Sequence, residues 1–280
     1  DINLFADDTV LFICLDNAFA ATEKINDDLK NLSNWMKLKK LKLNINKTKC
    51  MVITNRKKIS EQAMKIFIDN EEIERVKLIK YLGVQIDQKL NFNEHIEYVL
   101  KKIAKKYGVI CRISKSLSFW SKIFLYKTIV APHIDYCSSI LFLANVTQMP
   151  KFQRMQNKFM RLILKVNRYT SINAMLEVLQ WQSVKQRIYF NTLVFIYKMK
   201  NNMLPTYLTT NLQTGADVHN YLTRRRHDLR PANYTMTSTK NSLYYKGIQM
   251  YNSLPQEVKT SRNVKDFKRK CSEHIKICDI

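Results

Sequence analysis

Two adjacent carboxylates, Asp7 and Asp8, lie between two apolar runs, Ile2 to Phe5 and Val10 to Ile13. Like charges side by side are costly to hold near a core unless a cation or a partner compensates. A divalent metal is the usual compensation, and hard oxygen donors suit Mg²⁺. The pattern predicts short strands over residues 2–5 and 9–14, joined by a tight turn at Ala6-Asp7-Asp8. The turn lacks the Asn-Gly or Asp-Gly pair that usually marks a hairpin. A carboxylate pair this close to residue 1, in a chain without an initiator Met, leads us to expect further sequence upstream.

The 280 residues suit one large or two modest domains, and 46% hydrophobic content supplies a core. Only 4 Gly and 5 Pro occur, which argues against a disordered chain. The 47 Lys and Arg outnumber the 23 Asp and Glu, for a formal net charge of +24. Such an excess favours polyanions, nucleic acid first and an anionic membrane surface second. No signal peptide is visible. The most apolar stretch, Phe124 to Val146, is interrupted by Lys127, Pro132, His133 and Asp135, so no spanning helix is expected. Six scattered Cys read as reduced intracellular thiols, not a disulfide framework.

Asp16 or Asn17 is placed to cap a helix running to about Lys39, with Ile25, Leu29, Leu32 and Met36 on one face. Strands are expected at Leu41–Ile45, Met51–Thr54, Met64–Ile68 and Val76–Ile86, with a turn at Asp69-Asn70. Near residue 90 the pattern becomes helical. Asn93 is read as the cap of a helix carrying Ile96, Val99, Leu100, Ile103 and Ile110. Ser118 would cap another, over Phe119–Val130, which Pro132 kinks or ends. Further helices are expected at about Pro150–Val166, Ile172–Leu179, Val184–Met199 and Asn263–Ile277, with an irregular segment near 205–240. The sum is an α+β chain.

Phe5-Ala6-Asp7-Asp8 between two apolar strands resembles the metal-binding hairpin of reverse transcriptases. Leu43-Asn44-Ile45-Asn46-Lys47-Thr48 resembles the next palm motif of the non-LTR retrotransposon enzymes, and Tyr81-Leu82-Gly83 the primer-grip hairpin after it. Leu179-Gln180-Trp181, then Arg187, then Pro205-Thr206-Tyr207-Leu208, are similar to the region downstream of the thumb in Jockey-like elements. Tyr251-Asn252-Ser253-Leu254-Pro255 and Phe267-Lys268 are similar to their C-terminal tail. The resemblance implies the end of a palm over residues 1–90, built of antiparallel strands with a helix. A helical thumb would follow over 91–170 and a helical C-terminal region over 171–280. The fingers and the motif bearing the other catalytic Asp are not in the sequence.

By that resemblance Asp7 would be a principal ligand of catalytic Mg²⁺ and Asp8 its partner. Lys47 would be a cation near the triphosphate; a solvated Lys in a Lys-rich run is the equal alternative. Tyr81, Leu82 and Gly83 would lie at the primer terminus, although Gly83 in a strand also suits a bulge. Lys151, Arg154, Lys158, Arg161 and Lys165 recur at three- and four-residue steps opposite Phe152, Met155, Phe159 and Leu162. That stripe suits phosphate contact, with a plain solvated face as the alternative. Arg224-Arg225-Arg226-His227 is read equally as a nucleic-acid contact or a solubilising run. Trp35, Trp120 and Trp181 are expected in the core. Cys271, His274 and Cys278 lack a fourth ligand for zinc.

The parent would be an RNA-directed DNA polymerase extending a DNA primer on an RNA template with dNTPs, in the nucleus. The alternative is an inactive nucleic-acid-binding remnant of such an element.

Overall fold

The computed structural model describes residues 1–54, 64–143, 148–210, 212–218, 221, 226–231 and 242–277. Two compact units divide at Leu90, Asp1–Leu90 and Asn91–Ile280.

The first unit mixes one helix with small sheets. Strands β1 (Ile2–Phe5) and β2 (Asp8–Leu11) pair antiparallel. Helix α1 (Ala18–Leu38) starts where the Asn17 side chain accepts the Phe19 N–H. It ends as Leu41 N–H reaches back to the Met36 carbonyl, with Lys40 in the left-handed region at φ 57°. Short strands follow: β3 (Lys49–Cys50), β4 (Phe67–Ile68), β5 (Glu71–Glu72) and β6 (Glu74–Arg75). The last pair is β7 (Leu78–Tyr81) and β8 (Val84–Asp87). Three of the pairings are antiparallel, but β3 runs parallel to β6, which corrects the all-antiparallel expectation.

The expected strand at Leu41–Ile45 is absent. The Asn44 side chain accepts the Lys47 N–H, and Thr48 donates its hydroxyl to the Asn44 carbonyl. These local bonds fold Ile45–Lys47 into a single tight helical turn. The strand read at Met51–Thr54 is shifted to Lys49–Cys50. Leu29, Ile68 and Ile73 form a small core, joined by Leu11, Leu32, Leu43 and Ile66. Asn26 clamps β4 to α1 by accepting the Phe67 N–H and donating to the Lys65 carbonyl. The expected turn at Asp69-Asn70 is present, with both residues at positive φ. Ser33 and Lys37 both bond the Asp69 carboxylate, and these bonds, that of Lys37 first, hold it below the usual carboxylate range.

The second unit is helical. Helix α2 (Asn93–Ile113) buries Ile96, Val99, Ile103 and Ile110, as its spacing predicts. Its cap position is Phe92, at φ 56°, rather than Asn93; Asn91 accepts the Asn93 N–H. Ser118 caps α3 (Phe119–Leu125) by accepting the Ser121 N–H. The chain passes through a wider π turn at Tyr126–Val130 into α4 (Ala131–Asp135). Pro132 therefore sits in the first turn of α4, where its missing N–H costs no helical bond. Next come α5 (Ser138–Leu143), α6 (Met149–Leu164), α7 (Ile172–Leu179) and α8 (Val184–Lys200), the last opened by a Ser183–Gln186 capping box.

Two clusters share α8. Val184 and Ile188 pack with Phe152, Phe159 and Met160; Leu193, Ile196 and Tyr197 pack with Tyr251, Phe267 and Ile275. A helix buried on several faces carries no single polar side, which is why α8 is apolar for most of its length. The C-terminal helix, Val264–Ile277, begins where Asn263 accepts the Asp266 N–H. Among the described residues no helix is long and apolar enough to cross a membrane.

Candidate active-site hairpin and nucleic-acid face

The register of β1 and β2 pairs Phe5 with Asp8, leaving a two-residue turn of Ala6 and Asp7. Ala6 has φ 52°, in the left-handed region that an L-residue enters at a cost. A positive φ at one of the two turn residues is what a tight two-residue hairpin requires. Both Asp7 and Asp8 are exposed, and neither has an ion-pair partner among the described residues. The hairpin is fixed at its base, where Phe12 N–H reaches the Asp1 carbonyl at 3.0 Å and Leu11 joins the small core. Hard, unpaired carboxylate oxygens suit Mg²⁺, which takes one or two carboxylates and completes its shell with water and phosphate oxygens. No group of three or more acidic, His or Cys side chains that could hold a metal occurs among the described residues. The donors therefore fit Mg²⁺ in kind and supply an incomplete set.

Lys47 is exposed at the end of the Asn44-capped turn. Asn44 and Thr48 shape that turn through the bonds described above. Among the described residues no hydrogen bond or ion pair joins Lys47 to the Asp7–Asp8 hairpin. Tyr81 pairs with Val84, so Leu82 and Gly83 form a second two-residue turn. Leu82 has φ 45° and Gly83 φ 85°. Gly83 thus serves a hairpin turn that needs positive φ, not a bulge.

On α6, Lys151, Arg154 and Lys158 are exposed while Phe152, Phe159, Met160 and Ile163 are buried. Arg161 is half-buried and donates from its guanidinium to the Arg168 carbonyl. Lys165 departs from the expected stripe: it is the left-handed cap at φ 55°, so it leaves the helix face. A third face, missed from the sequence, is polar and buried. Gln153 donates to Gln156 and Asn157 and accepts the Val184 N–H, while Gln156 donates to the Gln182 carbonyl. Gln and Asn carry no apolar period, so only their partners, the Gln182 carbonyl and the Val184 N–H at the start of α8, reveal this role.

Trp181 does pack inside, stacked on Tyr126 at 4.2 Å and 17°. Trp120 is 75% exposed and Trp35 50%, which corrects the core assignment of both. Of the C-terminal motif residues, Tyr251, Leu254 and Phe267 are core, while Ser253, Pro255 and Lys268 are exposed; Tyr251 and Tyr197 stack with Phe267, and Asn252 bonds both the N–H and carbonyl of Leu229. Burial pushes the Cys271 thiol up to about 12, as an inert core thiol requires. Arg224, Arg225 and Cys278 lie outside the described residues.

The chain is similar to a probable RNA-directed DNA polymerase from transposon X-element of Drosophila melanogaster, 29% identical over 163 residues, covering 57% of this chain and 18% of that protein. It is similar to the RNA-directed DNA polymerase from mobile element jockey of the same species, 26% identical over 166 residues. The jockey enzyme of Drosophila funebris is 27% identical over 165 residues. Each jockey alignment covers 58% of this chain and 18% of the relative, so the matched stretch is a small part of the curated relatives. No family model matches the chain, and no solved structure does. The resemblance to Jockey-like reverse transcriptases read from the ordered motifs is borne out by these relatives.

Proposed function

We propose that this chain is a section of a mobile-element RNA-directed DNA polymerase, comprising the end of the palm, the thumb and the C-terminal region. The observation that carries this is an exposed two-residue turn presenting Asp7 and Asp8, in a chain similar to three such polymerases. Residues 1–90 would be palm and the helical unit would follow the primer–template duplex.

Asp7 and Asp8 would hold Mg²⁺ together with phosphate and water oxygens. The bound metal supplies Lewis-acid activation of the primer hydroxyl and neutralises charge on the leaving pyrophosphate. Lys47 would add a mobile positive charge near the triphosphate. The Leu82-Gly83 turn keeps a side chain off one backbone position and lets the main chain approach the primer end. Lys151, Arg154 and Lys158 would bind backbone phosphates, a salt-sensitive and sequence-independent contact. RNA template, DNA primer and dNTPs are the partners this reading implies, and the nucleus is the place of action.

Primer extension on a poly(A) template tests it. Joining this chain to the upstream polymerase section of the X-element protein, so that Asp7 and Asp8 are the site's own carboxylate pair, should give Mg²⁺-dependent extension, and Asp7→Ala in that chimera should abolish it. The isolated chain, with two carboxylates in its described site, should not extend a primer. A chimera that stays active in Asp7→Ala would refute the assignment.

A further inference from the structure

Helix α6 presents a face of uncompensated positive charge. Lys151, Arg154 and Lys158 stand exposed at one-turn steps, about 5–6 Å apart between Cβ atoms. Between Asp135 and Glu177 the sequence holds no Asp or Glu, and Asp135 is itself held by Arg187. None of Lys151, Arg154, Lys158, Arg161 and Arg168 makes an ion pair among the described residues.

The turn after the helix is built around two of these cations. Arg161 donates from its guanidinium to the Arg168 carbonyl at 3.2 Å. Asn167 accepts the Tyr169 N–H at 3.0 Å and the Thr170 hydroxyl at 3.2 Å. The Arg168 guanidinium lies over the Tyr169 ring, 5.4 Å from its centroid. Tyr169 is 84% exposed, so the ring is covered by the cation on one face and open to solvent on the other.

A single exposed tyrosine is ordinary on a protein surface. Two relations set this one apart. Its turn is tied by Arg161 to the basic helix, so the ring keeps a fixed relation to the exposed cations. Those cations have no internal partner, which makes a polyanion the complement of the face. A duplex would use the cations alone, because its bases are paired and stacked with no ring face free. An unpaired strand uses both, with phosphates on the cations and a base on the aromatic ring.

We propose that the α6 face binds an unpaired stretch of nucleic acid, with backbone phosphates on Lys151, Arg154 and Lys158 and one base stacked on the open face of Tyr169. The proposal rests on the reading of α6 as a phosphate-contacting face of a polymerase section. It narrows that reading: the strand at this face is single, and Tyr169 is the residue that tells it from duplex.

Fluorescence anisotropy of the whole chain tests it, with labelled oligodeoxythymidylate and a labelled DNA duplex of the same length. Tyr169→Ala should weaken single-strand binding about fivefold or more, the loss of one stacked base. It should change duplex binding by less than about twofold, because phosphate contacts dominate there. Tyr169→Trp keeps a flat ring and should bind the single strand at least as well as the parent. Tyr169→Leu, apolar but not flat, should behave like the alanine variant. Lys158→Gln should weaken binding to both ligands and flatten its salt dependence. Because Tyr169 is exposed, the thermal transition of its variants should match the parent's. A lowered transition in Tyr169→Ala would assign the ring to the fold and overturn the proposal. Equal single-strand binding by parent and Tyr169→Ala, or full binding by Tyr169→Leu, would sink the stacking and leave the polymerase reading standing. An equal loss on single strand and duplex would do the same. Binding of neither nucleic acid by the parent would remove both readings. Phosphatidylserine vesicles bound more tightly than oligodeoxythymidylate, and weakened by Tyr169→Ala, would make the face a membrane surface and overturn the strand assignment.

Discussion

The Arg187 guanidinium holds the Asp135 carboxylate with two parallel bonds, Nε to Oδ1 and Nη2 to Oδ2, each 2.5 Å. Asn191 adds a third bond to the same carboxylate at 3.1 Å. This fork ties α8 to the end of α4, and the pairing raises the Arg187 pKa further above its usual value. Arg187→Ala should destabilise the helical unit by about 1–2 kcal/mol, since the pair is only partly buried. Asp135→Ala should cost a similar amount. Urea unfolding of both variants and the double variant checks this: the double should cost clearly less than the sum.

Phe267 is fully buried between Tyr197 and Tyr251. Phe267→Ala should cost about 3–5 kcal/mol, and loss of a cooperative thermal transition would be a natural outcome. Tyr251→Phe should behave in the opposite way. Its hydroxyl is buried without a hydrogen-bond partner among the described residues. Removing the hydroxyl should leave stability unchanged or raise it by about 1 kcal/mol, measured by chemical denaturation.

Burial pushes the Tyr126 hydroxyl from its usual value of 10.0 up to about 12. The folded state thus favours the protonated phenol. Its contribution to stability is complete below pH 10 and is lost as pH rises through about 12. Tyr126→Phe should flatten the fall of stability over that window by at most about 2–3 kcal/mol, a limit set by 1.36 kcal/mol per unit. Denaturation at stepped pH, parent against variant, isolates this tyrosine from the others.

Leu82 occupies φ 45° beside Gly83 at φ 85°. Leu82→Asn should stabilise the β7–β8 hairpin by about 0.5–1 kcal/mol, because Asn enters the left-handed region more readily. Gly83→Val should destabilise it by about 1–2 kcal/mol. Hydrogen exchange at Tyr81 and Val84 reads both changes.

The relation between sequence and structure differs from element to element. Helix α1 was legible because its cap and apolar period both lie within the helix: Asn17, then Leu29 and its neighbours. The Asp7–Asp8 hairpin was legible from two apolar runs and a short polar gap. Leu41–Ile45 was not, because its alternation competes with a side-chain bond from Asn44 that no periodicity reveals.

The sequence alone determined the class of the chain: α+β at first and helical after, strongly basic, with an ordered set of polymerase-like motifs. Tertiary structure decided which motif residues face inward. Trp181 and Trp120 look alike in sequence, yet one stacks on Tyr126 and the other stands in solvent. Burial and pairing depend on neighbours distant in the chain, and local spacing carries no record of them.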